Sequence, residues 1–385
     1  MGGRGYIASL LWPANGNVLT ALADRGFRSF VTIDVLARPE LVEELGKRGA
    51  VLRDLHLGSQ TERASKVNEE TDRRLSMVMP HLQAAVEPAG RFATLCGEGH
   101  VAAHVGGLLR DRMRASIGLV DALQQFHERE GITALLLNET ETLTWKTAAL
   151  WAGSVGIPRF LLMHGANVTR HYTVSGQRHA EWILTFGERG FEPLLEDGVE
   201  RAKLAATGNP AWDRLTQLAR FADRDAYRAH VIERCGARDL PTVLFATTWR
   251  AKLTALEDSR RVTDPTVCFL NACKLLQAEG FEFNVCVKGR VSNNAAEGNV
   301  LEDLARSFGV TNFYLVPPAG DTPVMILGCT ALVASDSNAS IEAALLGVPT
   351  VNIWGFTSWL MGPTFGAGDG IAQVRYDQPA ELAEH

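Results

Sequence analysis

Apolar and polar positions along this chain follow one repeated pattern. Short unbroken apolar runs are closed by turn residues and followed by stretches with helical period. Apolar runs without alternation suit strands of a parallel sheet that helices cover on both faces. The pattern predicts strands at Gly5–Trp12, Phe27–Val35, Ala50–Leu55, Thr133–Asn138, Ile157–Met163, Trp182–Phe186 and Lys203–Thr207. Between them it predicts a loop at Pro13–Gly16, helices at Asn17–Arg25, Leu143–Gly153 and Gly190–Glu196, and a polar helical region over Gln60–Glu130. Within that region Phe92–Leu95 reads as a short strand. A charged helical stretch, Leu215–Arg238, precedes a second series of strands: Thr242–Ala246, Phe283–Lys288, Thr311–Val316, Ala331–Ala334 and Thr350–Ile353. Helices are expected at Asp264–Glu279, Leu301–Ser307, Thr322–Gly328 and Ser340–Leu346, and the chain stops in the first turn of a last helix, Ala380–His385. A βα rhythm that restarts implies two α/β domains with right-handed crossovers.

Composition narrows the class. With 385 residues the chain has room for two full cores, and 46% hydrophobic with 21% charged residues is the balance of a soluble globular protein. A formal net charge of −6 argues against nucleic acid as partner, because phosphate-backbone binding needs a basic face. The six cysteines are scattered without CxxC or Cys/His spacing, so reduced thiols and a cytoplasmic setting are expected, and no metal. The run ending at Trp12 is far too short to span a bilayer. Peripheral association at the inner face of the membrane is compatible with all of this.

The chemistry gathers at strand ends. In Ala331–Ile353 a strand, the turn Ser335-Asp-Ser-Asn338, a helix capped by Gly347 and a second strand succeed one another. A helix starting just past a parallel strand aims backbone N–H groups at the sheet's crevice. Ser337, Asn338 and Ser340 can add donors for a diphosphate there, and Glu342, one turn in, can reach ribose hydroxyls. Thr247-Thr-Trp-Arg250 ends the first strand of the second series: the hydroxyls of Thr247 and Thr248 and the Arg250 guanidinium suit a phosphate. Lys288 ends another strand as a second cation. His164 closes the strand ending at Met163, where an imidazole can act as general base for a hydroxyl. Gly208, in the turn Thr207-Gly-Asn-Pro210, lets backbone approach a ligand. His100 and His104 share a helix face and read as structural, Glu139 is a reserve acid or base, and no GxSxG, P-loop or GxGxxG stands in its required context.

Four of these segments also carry a resemblance. Thr247-Thr-Trp-Arg250 and Met163-His-Gly-Ala166 resemble segments of CDP-glycerol glycerophosphotransferase-like enzymes. Asp336 to Pro349 resembles their nucleotide site and that of the non-hydrolysing UDP-N-acetylglucosamine 2-epimerases. Thr207-Gly-Asn-Pro210 resembles a turn shared by the epimerases and many GT-B glycosyltransferases. The resemblance implies the GT-B superfamily: α/β, two Rossmann-like domains with parallel sheets facing a central cleft. It divides the chain into an acceptor-side domain at 1–215 with a helical insertion at about 60–130, a linker region at 216–240, and a donor-binding domain at 241–385. It implies a glycosyltransferase of surface-polysaccharide assembly, taking a nucleotide-diphosphate or CMP-linked donor and a glycan or lipid-linked glycan acceptor, with no cofactor or metal. His164, Arg250 and Lys288 would be catalytic. Thr247, Thr248, Arg250, Ser337, Asn338, Ser340, Glu342 and Gly208 would hold the donor. A UDP-sugar 2-epimerase and a catalytically inactive nucleotide- or glycan-binding module are the alternatives. The chain departs from the pattern where Lys288-Gly-Arg-Val replaces K-x-H-P, where Met163 replaces tryptophan, and where the turn after Asp336 is one residue shorter.

Overall fold

The computed structural model describes residues 5–9, 13–33, 39–55, 61–86, 100–138, 142–163, 179–221, 223–247, 255–289, 295–317, 321–335, 337–355 and 370–385. The described residues up to Pro210 make one compact unit, and those from Ala211 onward make a second.

The first unit carries β1 (Tyr6–Ser9), α1 (Pro13–Asp24), β2 (Ser29–Thr32), α2 (Pro39–Lys47), β3 (Val51–Asp54), α3 (Thr61–Val86) and α4 (His100–Glu130). It continues with β4 (Ile132–Leu137), α5 (Leu143–Ser154), β5 (Arg159–Leu162), β6 (Trp182–Thr185), α6 (Glu192–Glu196) and β7 (Leu204–Ala206). The strands lie in the order β3-β2-β1-β4-β5-β6-β7, every neighbouring pair parallel. The long helices α3 and α4 pack on each other and carry the chain from the edge strand β3 to the far side of β1. Contacts at several points tie the second half of α4 down. Phe126 meets the Tyr6 ring edge-on at 5.0 Å, Gln124 accepts from Trp151 Nε1 of α5 at 2.9 Å, and His127 Nδ1 accepts from the Ile132 amide at 3.0 Å.

The second unit carries α7 (Asp213–Phe221), α8 (Arg224–Cys235), β8 (Thr242–Ala246), α9 (Ala255–Ala278), β9 (Asn284–Lys288), α10 (Ala295–Phe308) and β10 (Phe313–Leu315). It ends with α11 (Thr322–Leu327), β11 (Ala331–Ser335), α12 (Ala339–Leu345), β12 (Thr350–Trp354), β13 (Ala372–Arg375) and α13 (Pro379–Glu384). The sheet order is β10-β9-β8-β11-β12-β13, again all parallel. Side chains alternate across the strands, so the apolar runs feed two cores. Phe245, Val285, Val287, Val333 and Ile353 pack with Phe269 of α9, Leu301 of α10 and Leu382 of α13. Leu244, Ala246, Cys286, Leu332 and Ala334 pack with Leu215 of α7, Val231 of α8 and Ala343 of α12. Helices α7 and α8, the charged stretch between the two strand series, therefore cover the same sheet face as α12. A Cβ at Gly328 would run into the Tyr227 carbonyl and the Val231 side chain, so the close passage of α8 requires glycine there.

The bounds of several elements differ from the sequence reading. Pro13–Gly16 is the first turn of α1 and not a loop; proline is at home at a first helical position, where its missing N–H has no partner to lose. The helix expected from Asp264 begins at Ala255 and holds Pro265 inside it, so that proline marks no start. Helix α10 begins at Ala295, ahead of Leu301, and the helix at Gly190 is entered through a 3-10 turn at Glu188–Phe191. Strand β2 is shorter than expected because Phe27 is exposed rather than paired. Strand β13 has no counterpart in the sequence reading: Ala-Gln-Val-Arg has one buried position, too little apolar pattern to announce a strand. Phe92–Leu95 lies outside the described residues.

Candidate functional site at the carboxyl edge of the second sheet

Each sheet reverses its strand order beside its first strand, between β1 and β4 in one unit and between β8 and β11 in the other. In open parallel sheets the crevice for a ligand forms outside the carboxyl ends of the strands at such a reversal. In the second unit that edge is made by Thr247 just past β8, Lys288 at the end of β9, Ser335 at the end of β11, and the turn from Ser337 into α12.

Lys288 is the one buried charged side chain among the described residues. Its backbone is pinned, because the Thr247 amide and hydroxyl both donate to the Lys288 carbonyl, at 3.2 and 3.4 Å. Two residues after Cys286, it points to the face that α12 covers. Its ammonium has no hydrogen bond or ion pair among the described residues. Burial pushes its pKa down from the ordinary lysine value, and the charge of Glu342, acting at longer range, opposes this.

Glu342 stands in the first turn of α12, half-buried on the same face. Burial pushes its carboxyl above the usual range; the Trp212 N–H, Arg214 and Lys288 pull it back, while Asp321 adds to the rise. Trp212 Nε1 donates to Glu342 Oε1 at 3.3 Å. Arg214 is itself engaged with Asp321 at 2.8 Å.

The turn before α12 is held by its own backbone. The Ser340 amide donates to the Ser337 carbonyl, the Glu342 amide donates to the Asn338 carbonyl, and Ser337 Oγ accepts from the Ala339 amide at 3.3 Å. Asn338 is the helix cap, in helical conformation and without a side-chain capping bond. Ser340 is fully buried, its hydroxyl donating to Asn352 Oδ1 of β12 at 3.4 Å, so its side chain is engaged under the helix. At the other end Gly347, at φ +68°, closes the helix: its amide and that of Val348 donate back to Ala344 and Ala343. Arg224 of α8 donates to the Leu346 and Gly347 carbonyls at 3.2 and 2.9 Å, and so fixes the position of α12 and with it Glu342.

The structure thus brings Lys288, Thr247, Ser337, Asn338 and Glu342 to one sheet edge. Gly208 belongs to the first unit, where it takes φ +78° just after β7. His164, Thr248 and Arg250 lie outside the described residues. Two residues at the edge were not singled out from sequence. Trp212 reaches Glu342 across 130 positions, a contact no local pattern announces. From sequence Ser335 reads only as turn chemistry, yet its hydroxyl is buried at the end of β11 with no hydrogen-bond partner among the described residues.

No protein-family model matches the sequence, and no curated protein matches it. Solved structures do match the fold. A UDP-GlcNAc 2-epimerase from Neisseria meningitidis bound to UDP-GlcNAc is 13% identical, covering 98% of this chain and 88% of its own, with a TM-score of 0.56. A glycosyltransferase from Rickettsia africae is 10% identical, covering 100% and 87%, with a TM-score of 0.56. A UDP-GlcNAc 2-epimerase from Methanocaldococcus jannaschii, in complex with UDP-GlcNAc and UDP, is 11% identical, covering 98% and 90%, with a TM-score of 0.55. No described helix is long and apolar enough to cross a membrane. Two parallel sheets of this strand order, and likeness to these structures over nearly the whole chain, make the fold that of the GT-B class.

Proposed function

We propose that the second unit binds a nucleotide-activated sugar and that the protein is a glycosyltransferase of glycan assembly. The observation that carries this reading is Lys288: a buried ammonium without a hydrogen bond or ion pair among the described residues, with a half-buried carboxylate at longer range on the same sheet edge, at the strand-order reversal of a Rossmann-like sheet. That pair matches the two ends of a nucleoside diphosphate. Lys288 meets phosphate oxygens and Glu342 accepts from ribose hydroxyls, with Thr247, Ser337 and Asn338 around the phosphates. Thr248 and Arg250 extend the phosphate site. His164 takes the proton of an acceptor hydroxyl as its oxygen bonds to the sugar's anomeric carbon and the bond to the diphosphate breaks. Lys288 and Arg250 then offset the charge developing on the leaving group, as preorganised cations do. The acceptor is a glycan or lipid-linked glycan, and neither metal nor cofactor is needed.

A second reading, a UDP-sugar 2-epimerase, draws support from the fold likeness to the Neisseria and Methanocaldococcus enzymes. Isothermal titration with UDP, CDP, GDP, dTDP and CMP tests the shared part of both readings: one of these should bind wild type and fail to bind Lys288→Met. If none binds, both readings fall. Following the sugar of the matching donor by NMR separates them, since epimerisation without any acceptor rules out the transferase.

A further inference from the structure

Trp212 closes the short 3-10 turn Pro210–Trp212 at the start of the second unit. Its ring packs, partly buried, on the core that holds α7, α8 and α12, so the indole has little freedom to turn. Its N–H lies 3.3 Å from Glu342 Oε1. Buried indole N–H groups take a partner, and a carboxylate partner strengthens the bond. The bond occupies one oxygen of the carboxylate and restrains where that oxygen lies. Oε2 has no hydrogen-bond partner among the described residues, and Lys288 acts on the group only at longer range. Burial alone would favour the neutral carboxyl; the indole N–H works the other way and favours the anion.

We propose that Trp212 is a positioning residue: it presents Glu342 as an oriented anion for the vicinal hydroxyl pair of a ribose. This rests on the reading of Glu342 given above, and the experiment separates the two. Ribonucleoside diphosphates (UDP, CDP, GDP) are titrated into the full-length chain, and the tightest is compared with its 2′-deoxy counterpart. Wild type should prefer the ribonucleotide roughly tenfold, the worth of one hydrogen bond to a charged group. Trp212→Phe, which keeps a ring and loses the donor, should bind the ribonucleotide more weakly and reduce the preference to about twofold or less. Its binding should also be lost at higher pH on acidification, because Glu342 protonates sooner without the N–H. Trp212→His, which retains a donor, should recover part of the preference.

A purely packing role would weaken both nucleotides equally and leave the pH profile unmoved; that result overturns the assignment. Wild type that binds none of the nucleotides overturns the reading of the site itself. Should Trp212→Phe fail to fold, the wild-type chain supplies the test. One indole N–H resonance should shift as Glu342 titrates, and the shift should vanish in Glu342→Gln. A spectrum with no titrating indole contradicts the proposal.

Discussion

The two sheets share a strand order but treat their carboxyl edges differently. In the first unit the buried polar side chains at the edge are neutral among the described residues, and the charged Asp54 at the end of β3 is not buried. Ser9 accepts from Asn15 Nδ2 at 2.9 Å, Asn138 donates to the Leu162 carbonyl at 3.3 Å, and Thr185 donates to the Gly187 carbonyl at 2.9 Å. All of these side chains are buried, and their hydrogen bonds run to other parts of the same unit. In the second unit the corresponding edge holds a buried ammonium and a half-buried carboxylate, each shifted by burial toward its neutral form. One edge uses polar groups to hold itself together. The other carries a lysine and a glutamate that burial drives toward neutrality, the pattern that makes a group a candidate for binding or catalysis.

Reversing the charge at the second edge should have the largest effect. Lys288→Glu puts a second carboxylate opposite Glu342 in a desolvated place, and the chain should lose about 3–5 kcal/mol in urea unfolding, the scale of an uncompensated buried charge. Next comes the edge of the first unit. Asn15→Ala removes the donor to Ser9 and should cost about 1–2 kcal/mol, with nucleotide affinity of the second unit unchanged in calorimetry. A loss of affinity there would mean that the edges are not separable in function.

The smallest effect is in pH dependence. Glu342 has its folded pKa raised above the ordinary value near 4.5, so the folded chain binds its proton more tightly than the unfolded chain does. Its contribution is therefore most favourable at low pH and declines as pH rises through the window from that ordinary value to the raised one. Glu342→Gln should flatten this decline, by less than about 1 kcal/mol for a half-buried, solvent-screened group, as read from unfolding midpoints across the acid range.

How much of this was legible in the sequence depends on the range of the interaction concerned. Thr242–Ala246 is read as a strand with the bounds the structure gives it, because an apolar run closed by Thr247 carries the information locally. Helix α12 and its Gly347 cap are likewise local. Prolines mislead: Pro13 and Pro265 both look like boundaries, and only the first coincides with one. Strand β13 is stabilised by pairing with β12, so its own four residues carry little signal. At the site, Lys288 and Glu342 stand out as charges at strand and helix ends. That Lys288 is buried, that Ser340 turns inward to Asn352 and that Trp212 holds Glu342 are all tertiary facts.

In the proposed function Lys288 is kept for an anion and against stability. Thermal unfolding of wild type and Lys288→Met, each with and without saturating nucleoside diphosphate, tests it most directly. Methionine replaces a buried ammonium with an apolar chain of similar length, so the ligand-free variant should be more stable by about 1–4 kcal/mol. The nucleotide should raise the melting temperature of wild type and leave that of the variant unchanged. A variant that is less stable than wild type and still shifted by the nucleotide would contradict the claim, and would make Lys288 a structural residue.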